Sequence, residues 1–565
     1  MTLSFRHYAL LAVLAFLVAL PGRLSLPPLD RDEPRYMQAT AQMLSSGNFL
    51  DIRFQDQPRY LQPAGIYWLE AGAVKTTEII TQNSNLRHES WPYRIPSLLA
   101  SVFSILLTAW IGSRLFGGIT GLCAAGLLLV APLFAAESRM ATIDSVLLLD
   151  VLCLQALLLR HFDDMRAERS TPYRFSLLYW CALGVGLMLK GPIVLIPVLG
   201  TLFSLSICLR SMALIRQLRT GWGWMVSLLI TLPWCIGIAV VSHGEFFRRA
   251  VGHNLLGKIA HPQETHGFPP GYYLILFLLA FWPGALAAIR SLPALWQRRA
   301  RPEILFLLCW VIPHWLIFEC LATKLPHYVL PTYPAIAILT AASLTLWPLT
   351  PLRSLWSKLG VTLYALLWGL AGFLFCIAGP VLLYRMEGHL FAASLIPAIG
   401  SLPLLLVSVR LFWKQDWQGG IICSIGTALL TEAGIFLCVI PHLSSIQLSP
   451  RIAESFRELR PCPESVLLSP SYREPSLVFL TGGAVRLLSP LQAADALHNH
   501  ARCTLALIDQ KDESAFQHEL NRLGSESILY DQFEGLNYSN GHKLHLRLYV
   551  SNEGIIPTHP TKSPG

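Results

Sequence analysis

The stretch LDRDEPRYMQA, residues 29–39, sets Asp30, Arg31, Asp32, Glu33 and Arg35 within six positions, directly after the apolar run YALLAVLAFLVALPG at 8–22. Mixed charges at the edge of an apolar segment have two uses. They solvate a loop, or they hold a reaction centre at a lipid–water boundary. In the second case a carboxylate accepts the proton of an attacking hydroxyl, and cations neutralise a phosphate as it leaves. Further ionisable residues share this setting. Arg59 and Gln62 lie in RYLQPAGIYW, Asp144 ends ESRMATID, Lys190 interrupts LMLKGPIVLIP, and Lys324, His327 and Tyr328 lie in ATKLPHYVLP. The segment HNLLGKIAHPQETH adds His253, Lys258, His261, Glu264 and His266. Each has a plain alternative: a basic residue at a span end is commonly an anchor, and a lone Asp commonly caps a helix.

The elements that carry these residues follow from composition. Of 565 residues, 53% are hydrophobic and only 14% charged, with mean hydropathy +0.49. Soluble domains carry roughly a quarter charged residues, so this is a polytopic membrane protein with chain left over for one soluble domain. A span needs roughly 20 apolar residues. Candidates are 7–23, 94–113, 117–136, 142–161, 174–189, 191–209, 222–242, 271–289, 303–320, 328–348, 359–383, 391–412 and 418–441, about thirteen in all. The first resembles a signal peptide, but it lacks an A-x-A-type cleavage site and reads as a retained helix.

The net charge of +9 would fit a nucleic-acid partner if it formed one patch. It is instead spread over alternate short loops, which hold Arg160, Arg166 and Arg169, then Arg210, Arg216 and Arg219, then Arg298, Arg299 and Arg301. Basic loops stay in the cytoplasm, which excludes the nucleic-acid reading. On this topology the charged stretches above all face the outer side. So do two long loops, 24–93 and 243–270. The first holds two amphipathic helices, EPRYMQATAQMLSSG and PAGIYWLEAGAVKTT, suited to the interface.

Residues 1–445 thus form a membrane domain, and 446–565 a different material. There ESVLLS, AVRLLS, CTLALID and KLHLRLYVS read as strands, and LQAADALHNH and ESAFQHELNRL as helices. The expectation is a small α/β domain on the outer side. Cys462 and Cys503 fall in it, either bonded or as free thiols. The other ten cysteines lie in or beside apolar runs as small hydrophobes, and no CxxC pair appears. In 253–266, Glu264 and His266 offer a divalent metal two ligands on an extended segment, while His253, Lys258 and His266 equally suit hydrogen bonding to sugar or phosphate.

Taken in order, RDEPRYMQATAQMLSSGNF, QPAGIYWLEA, ESRMATIDSVLLLD, LMLKGP and TKLPHYVLPTYPAIAIL resemble the family 39 glycosyltransferases of GT-C fold. The resemblance is nearest to the bacterial lipid A 4-amino-4-deoxy-L-arabinose transferases, relatives of the protein O-mannosyltransferases. It spans nearly all of residues 1–345 and is looser beyond. It implies a polyprenyl-phosphate sugar donor, undecaprenyl phosphate in bacteria, and a site under the first long loop. It implies that Asp32 is the catalytic acidic residue with Arg35 beside it, that Asp144 is the second acidic position, and that Lys324 and Tyr328 line the donor phosphate. Many relatives have Lys-Pro before the YW helix; here Gln62 stands instead. A neutral amide supplies no charge, so Arg59, Lys258 or Lys190 must compensate, or the donor must sit differently.

The expected function is inverting transfer of a sugar from undecaprenyl phosphate to lipid A or another envelope acceptor at the outer face of the inner membrane. Asp32 and Asp144 are the expected catalytic residues. Glu33, Arg35, Arg59, Gln62, Lys190, His253, Lys258, Lys324, His327 and Tyr328 are the expected substrate-binding set. Protein O-glycosylation by the same fold is the alternative. A lipid or glycan transporter fits less well, because transporters place ionisable groups near the midplane and often show internal repeats, whereas here the polar set lies at one face. A scaffold role leaves that one-sided set unexplained.

Overall fold

The computed structural model describes residues 3–28, 32–257, 267–347, 349–352 and 354–552. It is largely helical, and among the described residues nine helical stretches are long and apolar enough to cross a membrane. Two shorter apolar helices, Phe5–Ala19 and Gly118–Leu129, accompany them. Every expected span contains a helix, but several are divided. The stretch Tyr173–Leu209 would run about 55 Å as one helix, far beyond a hydrocarbon core of about 30 Å. It is broken after Lys190 at Gly191, whose φ of +62° suits a residue without a side chain. The expected span 271–289 is likewise two helices, Tyr272–Ala280 and Gly284–Gln297. The span beginning at 328 enters through a 3-10 turn, Pro326–Thr332, before the helix Tyr333–Leu346.

Between the first span and the rest of the bundle stand the helices Asp32–Ser46 and Gly65–Thr81, linked by a short hairpin of β1 (Arg53–Phe54) and β2 (Gln57–Pro58). Asp32–Ser46 starts with two acidic residues, favourable at a helix N-terminus. Pro34 is tolerated because first-turn N–H groups have no helical partner. Gly65 makes the second helix fit: a Cβ there would lie 2.5 Å from the carbonyl oxygen of Met188. The helix therefore presses against the chain just ahead of Lys190.

One buried ion pair ties these parts together. Glu33 is fully buried and takes two bonds from Arg94, Nε to Oε1 at 2.7 Å and Nη2 to Oε2 at 3.0 Å. Its Oε1 also accepts the backbone N–H of Ala141 at 2.8 Å. Arg94 donates further to the carbonyls of Arg23, Leu26 and Pro27. Arg23 returns a bond to the Arg94 carbonyl at 2.7 Å and donates to that of Ser138. Glu33 is thus no part of a substrate surface, contrary to the sequence expectation, because none of its side chain reaches solvent.

The C-terminal residues fold on one five-stranded sheet of order β4-β3-β5-β7-β6. Its strands are β3 (Val466–Leu468), β4 (Val485–Arg486), β5 (Thr504–Asp509), β6 (Ser527–Asn537) and β7 (His542–Ser551). β3 runs parallel to β4 and β5, and β7 antiparallel to β5 and β6. β5 is buried on both faces: Leu505 and Leu507 pack toward helices Leu448–Leu459 and Pro475–Leu480, Ala506 and Ile508 toward Pro490–Asn499 and Glu513–Arg522. β6 had no sequence signal. It is an edge strand whose register slips between Leu529 and Asp531, which breaks the alternation that marks a strand. Cys462 and Cys503 are joined in a disulfide.

Removing one partner of a buried pair leaves an uncompensated charge and costs about 3–5 kcal/mol. Glu33→Ala should lower the thermal unfolding temperature of the purified protein markedly. The double variant Glu33→Leu/Arg94→Met should lose less than the sum of the two single losses; simple additivity would contradict the coupling.

Candidate active site

Helix periodicity separates Asp32 from its neighbour. Successive residues point about 100° apart, so Glu33 faces the interior while Asp32 remains 49% exposed at the start of its helix. Two arginines flank Asp32: Arg35 on the next turn at 3.8 Å, and Arg59, which follows the β-hairpin, at 3.5 Å. Arg59 is buried and tightly held. Its Nε donates to the Tyr67 hydroxyl at 3.1 Å, and its guanidinium lies over the Tyr36 ring, 5.1 Å from the centroid. Gln62 donates to the Tyr36 hydroxyl. The Gln62 amide therefore fixes a tyrosine, while the nearby positive charge comes from Arg59. Arg35 and Arg59, with Tyr60, Arg249 and Asn254, line an open depression of about 530 Å³.

A second cluster forms at helix ends. Asp144 opens the helix Asp144–Arg166 and Lys190 closes Tyr173–Lys190, which brings Nζ to 2.5 Å from Asp144 Oδ1. His327 sits between two carboxylates, Nε2 3.8 Å from Asp144 Oδ2 and Nδ1 3.6 Å from Glu137 Oε1. The Lys190 ammonium also lies 5.8 Å from the centre of the Tyr328 ring.

The remaining expected residues divide. Lys324 is buried, and its ammonium donates to the Leu321 carbonyl at 2.5 Å, at the end of the helix Pro302–Cys320. His253 lies in the helical segment Arg248–Leu256, where its backbone alone is described. Lys258, Glu264 and His266 lie outside the described residues, as does Asp30. The expected Glu264–His266 metal site therefore has no described geometry. Elsewhere Glu137, Asp144 and His327 each bring a ligand atom within 4.8 Å of the others. There the Lys190 ammonium already sits on Asp144, so the cluster balances much of its own charge.

Sequence reasoning passed over Glu70, in the quoted motif QPAGIYWLEA. It is fully buried; Oε2 accepts the Thr40 hydroxyl at 2.8 Å, and Oε1 has no hydrogen-bond partner among the described residues. Burial pushes this carboxyl well above its ordinary range, against the lowering effect of Thr40. A carboxyl flanked by aromatic and apolar residues was the available signal. Glu137, inside ESRMATID, was passed over as well.

The architecture is that of the GT-C membrane glycosyltransferases. Residues 10–244 match the model of the dolichyl-phosphate-mannose-protein mannosyltransferase family. The solved ArnT of Cupriavidus metallidurans bound to undecaprenyl phosphate superposes with a TM-score of 0.71 at 19% identity, covering 96% of this chain and 98% of that one. The undecaprenyl phosphate-alpha-4-amino-4-deoxy-L-arabinose arabinosyl transferase of Pectobacterium atrosepticum is 26% identical over 441 residues, 75% of this chain and 74% of its own. The protein of the same description from an Enterobacter species is 27% identical over 355 residues, 61% of each chain. The resemblance to lipid A aminoarabinose transferases expected from the motifs thus holds in sequence, and the fold agrees.

A buried carboxyl with a raised pKa binds its proton more tightly in the folded state. Its contribution to stability is greatest at low pH and declines as pH rises above the ordinary carboxylate value of about 4.3. Glu70→Gln removes that decline. Relative to wild type, the variant should gain thermal stability between about pH 5 and pH 8. A difference independent of pH would place a charged carboxylate at Glu70.

Proposed function

We propose that this protein is an inverting glycosyltransferase that moves a sugar from undecaprenyl phosphate to lipid A or another cell-envelope acceptor. The observation that carries the reading is the exposed Asp32 carboxylate, flanked by Arg35 and Arg59. The relatives' description names the donor lipid and the 4-amino-4-deoxy-L-arabinose unit, and the superposed ArnT holds undecaprenyl phosphate.

In this reaction the acceptor oxygen attacks the anomeric carbon as its bond to the phosphate breaks. Asp32 accepts the proton of an acceptor hydroxyl, or orients an acceptor that arrives already ionised. The departing lipid phosphate gains negative charge, which Lys190, Arg59, Arg35 and Lys324 stabilise. Asp144 holds Lys190 in place, and His327 and Tyr328 close the donor side. His253 and Lys258 belong to the same substrate-binding set, and Glu264 and His266 remain its metal candidates.

The site and the C-terminal domain face the periplasm in this reading, with the protein in the bacterial inner membrane. The arginine-rich loops of the opposite face support that orientation, as does the disulfide in the last domain beside ten free cysteines elsewhere. The family match over residues 10–244 favours protein O-glycosylation as the second reading.

Mass spectrometry of envelope lipids with and without the gene distinguishes the two. Loss of one sugar mass from a glycolipid supports the first; unchanged lipids with a lost protein glycoform support the second. In the purified enzyme, Asp32→Asn should lower kcat by at least about 10²-fold while donor binding persists. Lys190→Met should weaken donor binding first. Near-normal turnover of Asp32→Asn would remove Asp32 from its role.

A further inference from the structure

The C-terminal domain reaches into the scaffold of the site at two points. Phe479, at the end of helix Pro475–Leu480, is fully buried in a cluster with Met37 and Ala41 of the Asp32–Ser46 helix, and with Val74, Tyr93 and Ala141. Its ring meets Tyr93 edge-on at 5.4 Å. The next loop follows the same helix. Gly483, at φ +80°, lies so close that an added Cβ would be 3.1 Å from the Gln38 amide nitrogen.

The second point is the β-hairpin. Gln55 Nε2 donates to the carbonyl of Val485 in β4 at 2.7 Å. The Gln55 backbone is joined in turn to Gln42 on the Asp32–Ser46 helix by two bonds, 2.7 and 3.1 Å. Phe54 packs against the core of the C-terminal domain and also lines the depression shared by Arg35 and Arg59. Helix and hairpin, the two elements that deliver Asp32, Arg35 and Arg59, therefore lean on the last domain of the chain. Lys190 and Tyr328 stand on elements of the membrane bundle instead.

We infer that the C-terminal α/β domain is a positioning element of the active site: Phe479 sets the helix that bears Asp32, and the Gln55–Val485 bond sets the hairpin that precedes Arg59. The inference rests on the reading of Asp32 as the reacting carboxylate. Displacing a reacting group by about 1 Å costs on the order of 10²-fold in rate, so small losses of packing at a distance register in turnover. Neither Phe479 nor Gln55 touches the substrate, and both act through Asp32 and Arg59.

Two variants of the full-length protein test this. Phe479→Leu keeps an apolar side chain but loses the ring contact with Tyr93. Gln55→Asn suits the left-handed backbone at that position, φ +53°, yet is one methylene too short for Val485. The measurements are kcat, donor affinity and amide hydrogen exchange over residues 32–46. Phe479→Leu should lower kcat roughly tenfold and Gln55→Asn several-fold. Donor affinity should fall by less than kcat, and exchange in the helix should rise about tenfold.

Unchanged exchange in both variants overturns the inference whatever the rates do. So does raised exchange with wild-type kcat. A wild-type protein that transfers no sugar defeats the proposed function instead, and the exchange measurement still decides whether the domain holds the helix.

Discussion

The organisation of the site depends on the ion pair between Glu33 and Arg94. Two charges with almost no exposure are expensive to bury, and here every part of the pair is used. The carboxylate takes both arms of the guanidinium and a backbone N–H of the segment before Asp144. The guanidinium spends its remaining donors on the carbonyls that lead out of the first span. Three stretches distant in sequence are fixed to one another: the chain from the exit of the first helix to the start of the Asp32 helix, the head of the helix Ile95–Phe116 at Arg94, and the approach to Asp144. An apolar contact of the same volume would hold them together without fixing their register. The directional bonds of the pair do fix it.

Charge at the site is distributed along the same lines. Asp32 is answered by two arginines, Asp144 by one lysine, and His327 is set between two carboxylates. Gln62 is neutral, and the positive charge of the region comes from Arg59, buried there against Tyr36 and Tyr67. Arginine suits such a place better than lysine: its planar group stacks on rings and still presents donors at its edge. Tyr36 in turn takes a bond from Gln62, so the neutral amide supports a ring on which Arg59 rests.

Much of this was legible in the sequence, for reasons that also explain the misses. Spans announce themselves by length and hydropathy, and each expected one contains a helix. Asp144, Lys190 and Tyr328 stood out because charge and Pro–Gly punctuation beside apolar runs are rare, and the fold gathers them. Glu33 and Asp32 differ by one position, and the sequence cannot say which of two adjacent carboxylates a helix turns inward; that depends on Arg94, sixty-one residues on. Glu70 was lost in an apolar helix for the same reason. β6 was lost because an edge strand with a register slip has no alternation to read. The disulfide was one of two open choices until Cα atoms 5.4 Å apart settled it.

The contact between Gln55 and Val485 joins residues 430 positions apart. Such a closure belongs to the slow end of folding, since the entropy of a long loop must be overcome before the contact can return anything. During synthesis Asp32, Arg35 and Arg59 are made well before the domain on which their helix and hairpin lean. A chain stalled before residue 466 would carry these side chains but lack the contacts that hold their helix and hairpin from the far end.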